Sequence, residues 1–317
     1  MQDGVLLFDE RGATVFANEA APAQLGGRPR DLGALMPIDL RRAAERAARD
    51  RMTASALLET GSPTRWLQVV AAPAGENGAV LVTLRDVTEA RRTDQVRRDF
   101  VANASHELKT PAATIQAAAE TIRHAAEDDV KAVPRFATQL EREALRLSRI
   151  VADLLDLSRL ESGSDLSESV RVDTVVREQV EGHEEAAREA GLTITVEGAD
   201  AGPVLGSARD LTLLVRNLLD NAIRYSRRAG TVRVTTAVTE REVTLSVADD
   251  GIGIPTKDLP RIFERFYRVD RARSRETGGT GLGLAIVKHV AENHGGHVHV
   301  ESELGRGTTF RVTLPKA

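Results

Sequence analysis

Apolar positions change period along the chain and divide it into three stretches. Near the amino terminus they fall in short runs. Gly4-Val5-Leu6-Leu7-Phe8 and Ala13-Thr14-Val15-Phe16-Ala17 read as strands joined by an Asp9-Glu10-Arg11-Gly12 turn. Residues 30–60, rich in Ala, Arg and Leu, read as short helices, and strands resume at 65–71 and 79–84. From Glu89 to about Ala126 the period is helical without interruption. Val101, Leu108, Ile115 and Ile122 recur every seven residues, with Ala104, Pro111 and Ala118 in the alternate positions, the apolar seam of a helix in a bundle. Pro111 removes a backbone hydrogen bond to the Glu107 carbonyl, which predicts a bend there. After a break at Glu127-Asp128-Asp129, Pro134 suits the first turn of a second helix. Its seam runs through Leu140, Leu147 and Leu154, with Phe136, Ile150 and Leu157 alternating and Glu143 the exception; Gly163 ends it. Two such helices with a short connection form an antiparallel hairpin with much of both seams uncovered. Pairing with a second copy into a four-helix bundle buries them, so a homodimer is expected.

The third stretch, from about 165 onward, alternates helices (172–190, 207–225, 281–293) with strands (192–196, 231–236, 243–247) and a closing hairpin (297–301 and 308–314). That order predicts a mixed sheet with helices on one face. The Ser-Gly-Ser-Asp run within 162–167 predicts a flexible hinge ahead of it.

Composition narrows the classes. The chain has 317 residues, 41% hydrophobic, room for two or three domains. Aromatics make up only 3%, so Ala, Leu and Val do most of the packing. A net charge of -4 argues against a nucleic-acid binder. The absence of cysteine excludes disulfides, thiolate metal sites and cysteine nucleophiles. Apolar runs such as 79–84 are far below bilayer length, so the chain as given is expected to be soluble and cytoplasmic; an upstream anchoring segment is left open. All seven histidines lie at or after position 106, which denies the first stretch a histidine-ligated haem, and the missing cysteines deny it a flavin-cysteinyl photosensor.

Candidate chemistry lies in five places. In Ser105-His106-Glu107-Leu108-Lys109-Thr110-Pro111, His106 falls two positions before a seam residue and therefore points outward, with a carboxylate beside it and a hydroxyl one turn on. In Asn217-Leu218-Leu219-Asp220-Asn221-Ala222-Ile223-Arg224-Tyr225-Ser226, the residues Asn217, Asn221 and Arg224 share one helix side. Amide oxygens suit Mg²⁺, and a guanidinium suits phosphate. Asp249-Asp250-Gly251-Ile252-Gly253 follows a strand, and a carboxylate there can accept from an exocyclic amine such as adenine N6. Arg261-Ile262-Phe263-Glu264-Arg265-Phe266-Tyr267-Arg268 precedes a polar run, 269–277, that reads as a mobile loop. Gly278-Gly279-Thr280-Gly281-Leu282-Gly283-Leu284 opens a helix, where free N–H groups favour phosphate.

Taken in this order, the five stretches resemble the H, N, G1, F and G2 boxes of two-component sensor histidine kinases, over roughly 90–317. The Phe-Val-Ala-Asn-Ala-Ser-His-Glu run looks most like the phosphate-regulon sensor kinases, a weaker likeness. The first stretch, with Asn18 and the closing Arg85-Asp86-Val87-Thr88, resembles a PAS sensor domain. The resemblance implies a multidomain α+β fold: a PAS-like α/β sensor (1–88), a two-helix hairpin forming a dimeric four-helix bundle (89–163), and an α/β-sandwich ATP-binding domain of the GHKL (Bergerat) type (165–317). It implies His106 as the nucleophile toward ATP and Glu107 as the acceptor that fixes its tautomer. Asn221 is implied as the Mg²⁺ ligand, with Asn217, Arg224 and Tyr225 near the nucleotide. Asp249 would read adenine, Gly251 and Gly253 shape its pocket, and Arg268 approach the γ-phosphate. Gly279, Thr280, Gly281, Leu282 and Gly283 would hold the phosphates, under a lid at about 269–280. The implied partner is the receiver aspartate of a response regulator, with Thr110 serving a phosphatase reaction on it. Two alternatives stay open: a phosphatase-dominant sensor with weak kinase activity, and a GHKL-type ATPase clamp.

Overall fold

The computed structural model describes residues 3–61, 63–75, 77–163, 166–198, 202–270 and 279–317, with the backbone alone at 127 and 128. The chain divides into two compact units, Met1–Val101 and Ala102–Ala317.

In the first unit, five antiparallel strands lie in the order β2-β1-β5-β4-β3: β1 (Gly4–Phe8), β2 (Thr14–Ala17), β3 (Ala54–Thr60), β4 (Arg65–Ala74) and β5 (Ala79–Asp86). Alternate residues Leu6 and Phe8, Leu67 and Val69, and Val80, Val82 and Leu84 are buried with the apolar side of α2 (Ile38–Asp50), namely Leu40, Ala43, Ala44 and Ala47. The period of two in the strands and the helical spacing in α2 thus meet in one core. Two features depart from the sequence reading. Helix α1 (Ala20–Leu25) and strand β3 were not expected, and β3 falls inside the stretch read as helical. Ala54-Ser55-Ala56-Leu57-Leu58-Glu59 has ordinary helix formers. Its strand state comes from pairing along the whole of β4, from Ala54 opposite Ala71 to Thr60 opposite Arg65. The two ends marked by sequence are hydrogen-bonded corners. Asn18 accepts from the Val5 and Ala21 amides (2.9 and 3.1 Å), and Asp86 accepts from the Thr88 amide while Thr88 accepts from that of Trp66.

Helix α3 (Thr88–Asp128) runs unbroken through Pro111, and α4 (Val133–Glu161) follows after a 3-10 turn, Val130–Ala132. Pro111, Ala118, Ile150 and Leu157 are buried, whereas Leu108, Ile115, Ile122, Leu140, Leu147 and Leu154 are only half-buried in the single chain. The exceptional Glu143 lies 3.8 Å from Arg146 of the same helix.

The rest of the second unit is a sheet of order β11-β12-β10-β9-β7, antiparallel except for β7 beside β9. Its strands are β7 (Thr193–Gly198), β9 (Thr231–Val238), β10 (Glu242–Asp249), β11 (His297–Glu303) and β12 (Gly307–Pro315); β6 (Glu168–Arg171) and β8 (Pro203–Gly206), absent from the sequence reading, pair separately. Helices α5 (Val172–Glu189), α6 (Ala208–Tyr225) and α7 (Gly283–Asn293) pack against the large sheet. Val243, Leu245 and Val247 alternate into the core. The next residue of that parity is Asp249, so the strand delivers a carboxylate to the core side of its own end. The Ser207 hydroxyl accepts from the Asp210 amide (3.3 Å) and caps α6. Among the described residues, no helix is long and apolar enough to cross a membrane.

Candidate active site

A cavity of about 470 Å³ opens between α6, the end of β10 and the start of α7. Asn217, Asn221, Arg224 and Tyr225 enter it from α6, Asp249 and Gly253 from the β10 end, Arg268 from the segment before the loop, and Gly279, Thr280, Gly281 and Gly283 from the start of α7. Four sequence stretches therefore meet in one place. Gly251 and Leu282 do not line it. The Gly251 amide is spent on Asp249 (2.8 Å), and the Leu282 side chain is fully buried in the core with its amide donating to Thr280. The expected lid and mobile loop fall largely on residues 271–278, Gly278 among them, which lie outside the described residues; so do 164 and 165 of the expected hinge. The Phe266 amide donates to the Gly281 carbonyl (2.8 Å), bringing the two flanks of that loop together.

Asp249 is 9% exposed and accepts from the Gly251 amide. Burial pushes its carboxyl up to about 6, against the pull of the amides of Gly251 and Thr308. An acceptor held in place by backbone, at the floor of an apolar cleft with Ile252, Ile254, Ile262 and Phe310, is suited to a planar ring bearing an amine. Gly253 has φ +69, and a side chain there would strike the Glu303 carbonyl. Gly283 lets α7 approach Asn217: an added Cβ would sit 2.6 Å from the Asn217 amide oxygen. The Asn217 amide nitrogen is fixed on the Leu213 carbonyl (2.8 Å), which leaves its oxygen toward the start of α7. Asn221 joins it on the cavity wall. Among the described residues no group of three or more His, Asp or Glu is arranged to hold a metal ion, and the amide oxygens of Asn217 and Asn221 are the donors that would hold a cation here together with oxygens of the ligand itself. Hard amide oxygens fit Mg²⁺, which keeps few protein ligands when it travels with phosphates.

Asp220, beside Asn221, also lines the cavity and meets His183 of α5 at 3.5 Å. Desolvation raises the Asp220 carboxyl, but His183, Arg224 and Arg216 outweigh it and hold the group below its ordinary value. Asp220 raises His183 in turn. More surprising are Arg149, Ala152 and Asp153, which reach the cavity wall from α4 of the hairpin. No local motif marks them; only the packing of α4 brings them there.

His106 lies exposed on α3. Thr110, one turn on, is exposed and donates to the His106 carbonyl (3.1 Å). Glu107 is turned to two arginines: one of its oxygens accepts from Arg268 (2.9 Å) and from Arg146 (3.2 Å). Both guanidiniums are buried, with 6–7% side-chain exposure. Burial pulls Arg268 below its ordinary value, with Glu107 opposing.

Residues 96–163 match the His Kinase A (phospho-acceptor) domain family, and residues 206–317 match the family of histidine kinase-, DNA gyrase B- and HSP90-like ATPases. The sensor-like histidine kinase SenX3 of Mycolicibacterium smegmatis is 43% identical over 238 residues, 74% of this chain and 62% of that protein. The sensor histidine kinase WalK of Bacillus subtilis is 34% identical over 333 residues, 99% of this chain and 54% of that protein. The chain thus spans less than two thirds of the length of either relative. The crystal structure of histidine kinase ThkA in complex with response regulator protein TrrA shares the fold, with a TM-score of 0.56 at 20% identity, over 100% of this chain and 96% of that one. His106 falls within the first matched segment, and the cavity's four sequence stretches all lie within the second. Residues 96–163 thus belong to the phospho-acceptor family and residues 206–317 to the ATPase family, and the chain is similar to sensor histidine kinases.

Proposed function

We propose that the cavity binds ATP with Mg²⁺ and that His106 takes its γ-phosphoryl group, for transfer to the receiver aspartate of a response regulator. The observation that carries this reading is the convergence of Asp249, Asn221, Arg268 and the glycine-rich start of α7 on one cleft, in a chain whose matched phospho-acceptor segment holds an exposed His106. Asp249 accepts from the adenine amine. Asn221, with Asn217 near it, holds the cation, which when bound neutralises charge on the β- and γ-phosphates. Arg224 and the Gly279–Gly283 segment hold the phosphate chain, with Arg268 directed to the γ-phosphate. A ring nitrogen of His106 attacks the γ-phosphorus, a nitrogen–phosphorus bond forms, and the bond to the β-phosphate oxygen breaks, with ADP leaving. Glu107, once released from its arginines, accepts from the other ring nitrogen and assists proton loss.

The domains fit this division: a PAS-like sensor over 1–88, a dimerising hairpin over 89–163 and an ATP-binding domain over 165–317. The strand order β2-β1-β5-β4-β3 supports the sensor reading, and the half-buried seam of α3 and α4 supports a homodimer. The exposure of Thr110 one turn past His106 supports reading it as the residue that orients a water for dephosphorylation of the regulator. The test is incubation with γ-labelled ATP and Mg²⁺, then with a receiver domain. The reading requires label that survives alkali, is lost in acid and leaves the chain when the receiver is added. Nucleotide binding without any label would overturn it.

A further inference from the structure

The nucleotide domain rests on α4 through a row of polar contacts. Thr280 donates to Asp153 (2.6 Å), and Asp156 lies 3.7 Å from both Arg209 and Arg216. Arg159 lies 2.7 Å from Asp210, a carboxylate with 0% exposure. Asn293 donates to the Leu160 carbonyl (3.0 Å), and Arg265 pairs with Glu161. Positions 153, 156, 159 and 160 follow the three-to-four spacing of one helix side, so a single stripe of α4 makes the contact. The stripe is charged as well as apolar. Contacts of this kind bring little net stability, because desolvation offsets attraction, and they come apart in water at low cost.

What the contact occupies gives it meaning. Thr280 and Arg268 both line the cavity, yet the first is held by Asp153 and the second by Glu107. Glu107 is itself the neighbour of His106, and it is held by Arg146 as well. Phosphate oxygens are the natural acceptors for a hydroxyl and a guanidinium at a glycine-rich helix start. In their place stand two carboxylates of the hairpin, and Asp153 presents like charge to an entering triphosphate.

We propose that this docked arrangement is a latch in which Asp153 and Glu107 of the hairpin stand in for nucleotide phosphates at Thr280 and Arg268, so that ATP binding and docking oppose each other. The proposal rests on the reading of the cavity as the ATP site. It follows that ATP loosens the domain that must carry it, and that loosening takes Arg268 away from Glu107 in the same step, leaving Arg146 of the hairpin as its one partner in this cluster. By linkage, whatever weakens docking tightens nucleotide binding.

Arg159 and Asp210 lie outside the cavity and test this without touching it. Arg159→Asp is measured for affinity toward a trinitrophenyl ATP analogue and for the initial rate of labelling by γ-labelled ATP. The charge-swapped double variant Arg159→Asp/Asp210→Arg is measured beside it, as is Asp156→Ala, which removes a weaker contact. The latch predicts several-fold tighter nucleotide binding and faster labelling in Arg159→Asp, the same direction and a smaller size in Asp156→Ala, and a return toward wild type in the swap. Unchanged affinity in both single variants, or slower labelling at saturating nucleotide, overturns it; the second result would make the docked arrangement the transferring one. Tighter binding with no labelling in any protein, wild type included, upholds the latch and defeats the kinase reading instead.

Discussion

Asp249 is 9% exposed, fixed by the Gly251 amide and set at the end of a strand whose core residues share its face, whereas His106 stands exposed on a helix with its neighbouring carboxylate committed elsewhere. The first region is preorganised by its own fold. The second, under the proposed function, is a reacting group whose surroundings arrive with another domain. If the proposed function holds, the difference teaches that binding and chemistry are kept apart: affinity is built into one fold, and reaction depends on an encounter between two. It also says that substitutions in the two regions must separate, with the cleft controlling occupancy and the helix face controlling transfer.

The largest expected effect falls on the cleft. Asp249→Asn loses a hydrogen bond to a charged acceptor, a loss of about 1.5–3 kcal/mol, hence roughly ten- to hundredfold weaker nucleotide binding. Titration with a fluorescent nucleotide reads it, and an affinity near wild type would sever Asp249 from adenine recognition. Next comes pH. An amine donating to Asp249 lowers its bound-state pKa below the free value of about 6, so binding releases a proton below that pH. Affinity is full above about 6 and falls as pH drops through it, by up to about tenfold per pH unit. Asp249→Asn flattens that part of the profile, and a profile still falling in the variant would point to another group.

On the helix face, Thr110→Ala is expected to spare autophosphorylation and nucleotide affinity while removing most phosphate release from a phosphorylated regulator. Loss of both reactions together would return Thr110 to a structural part through its bond to the His106 carbonyl. The smallest effect belongs to Ser207→Ala, which removes the cap of α6 at about 1 kcal/mol, read as a shift in denaturant midpoint with affinity unchanged. A fall in affinity there would mean that the cleft's order depends on the far end of α6.

Much of the cleft was legible because its residues sit in local runs whose spacing is chemical: Asn217, Asn221 and Arg224 on one helix side, Asp249 two residues past Val247. The strands of the closing sheet were legible through Val, Ile and Thr at alternate positions. Strand β3 was not, because Ala54 to Glu59 carries no strand preference of its own and takes its state from β4. Nor were β6 and β8, four residues each and dependent on one another. The Glu107–Arg146–Arg268 cluster joins residues 39 and 161 positions apart, and Asp153 meets Thr280 across 127. Charged residues on a helix look solvated in sequence, and only tertiary packing shows which of them are buried against another domain.

The proposed transfer turns on His106, and it is tested most directly by measuring nucleotide binding and labelling on the same samples of the wild type and His106→Gln, with Mg²⁺ and γ-labelled ATP. Equal binding is expected in both, with acid-labile, alkali-stable label in the wild type alone. Label of that stability in His106→Gln would place the phosphoryl group elsewhere and contradict it.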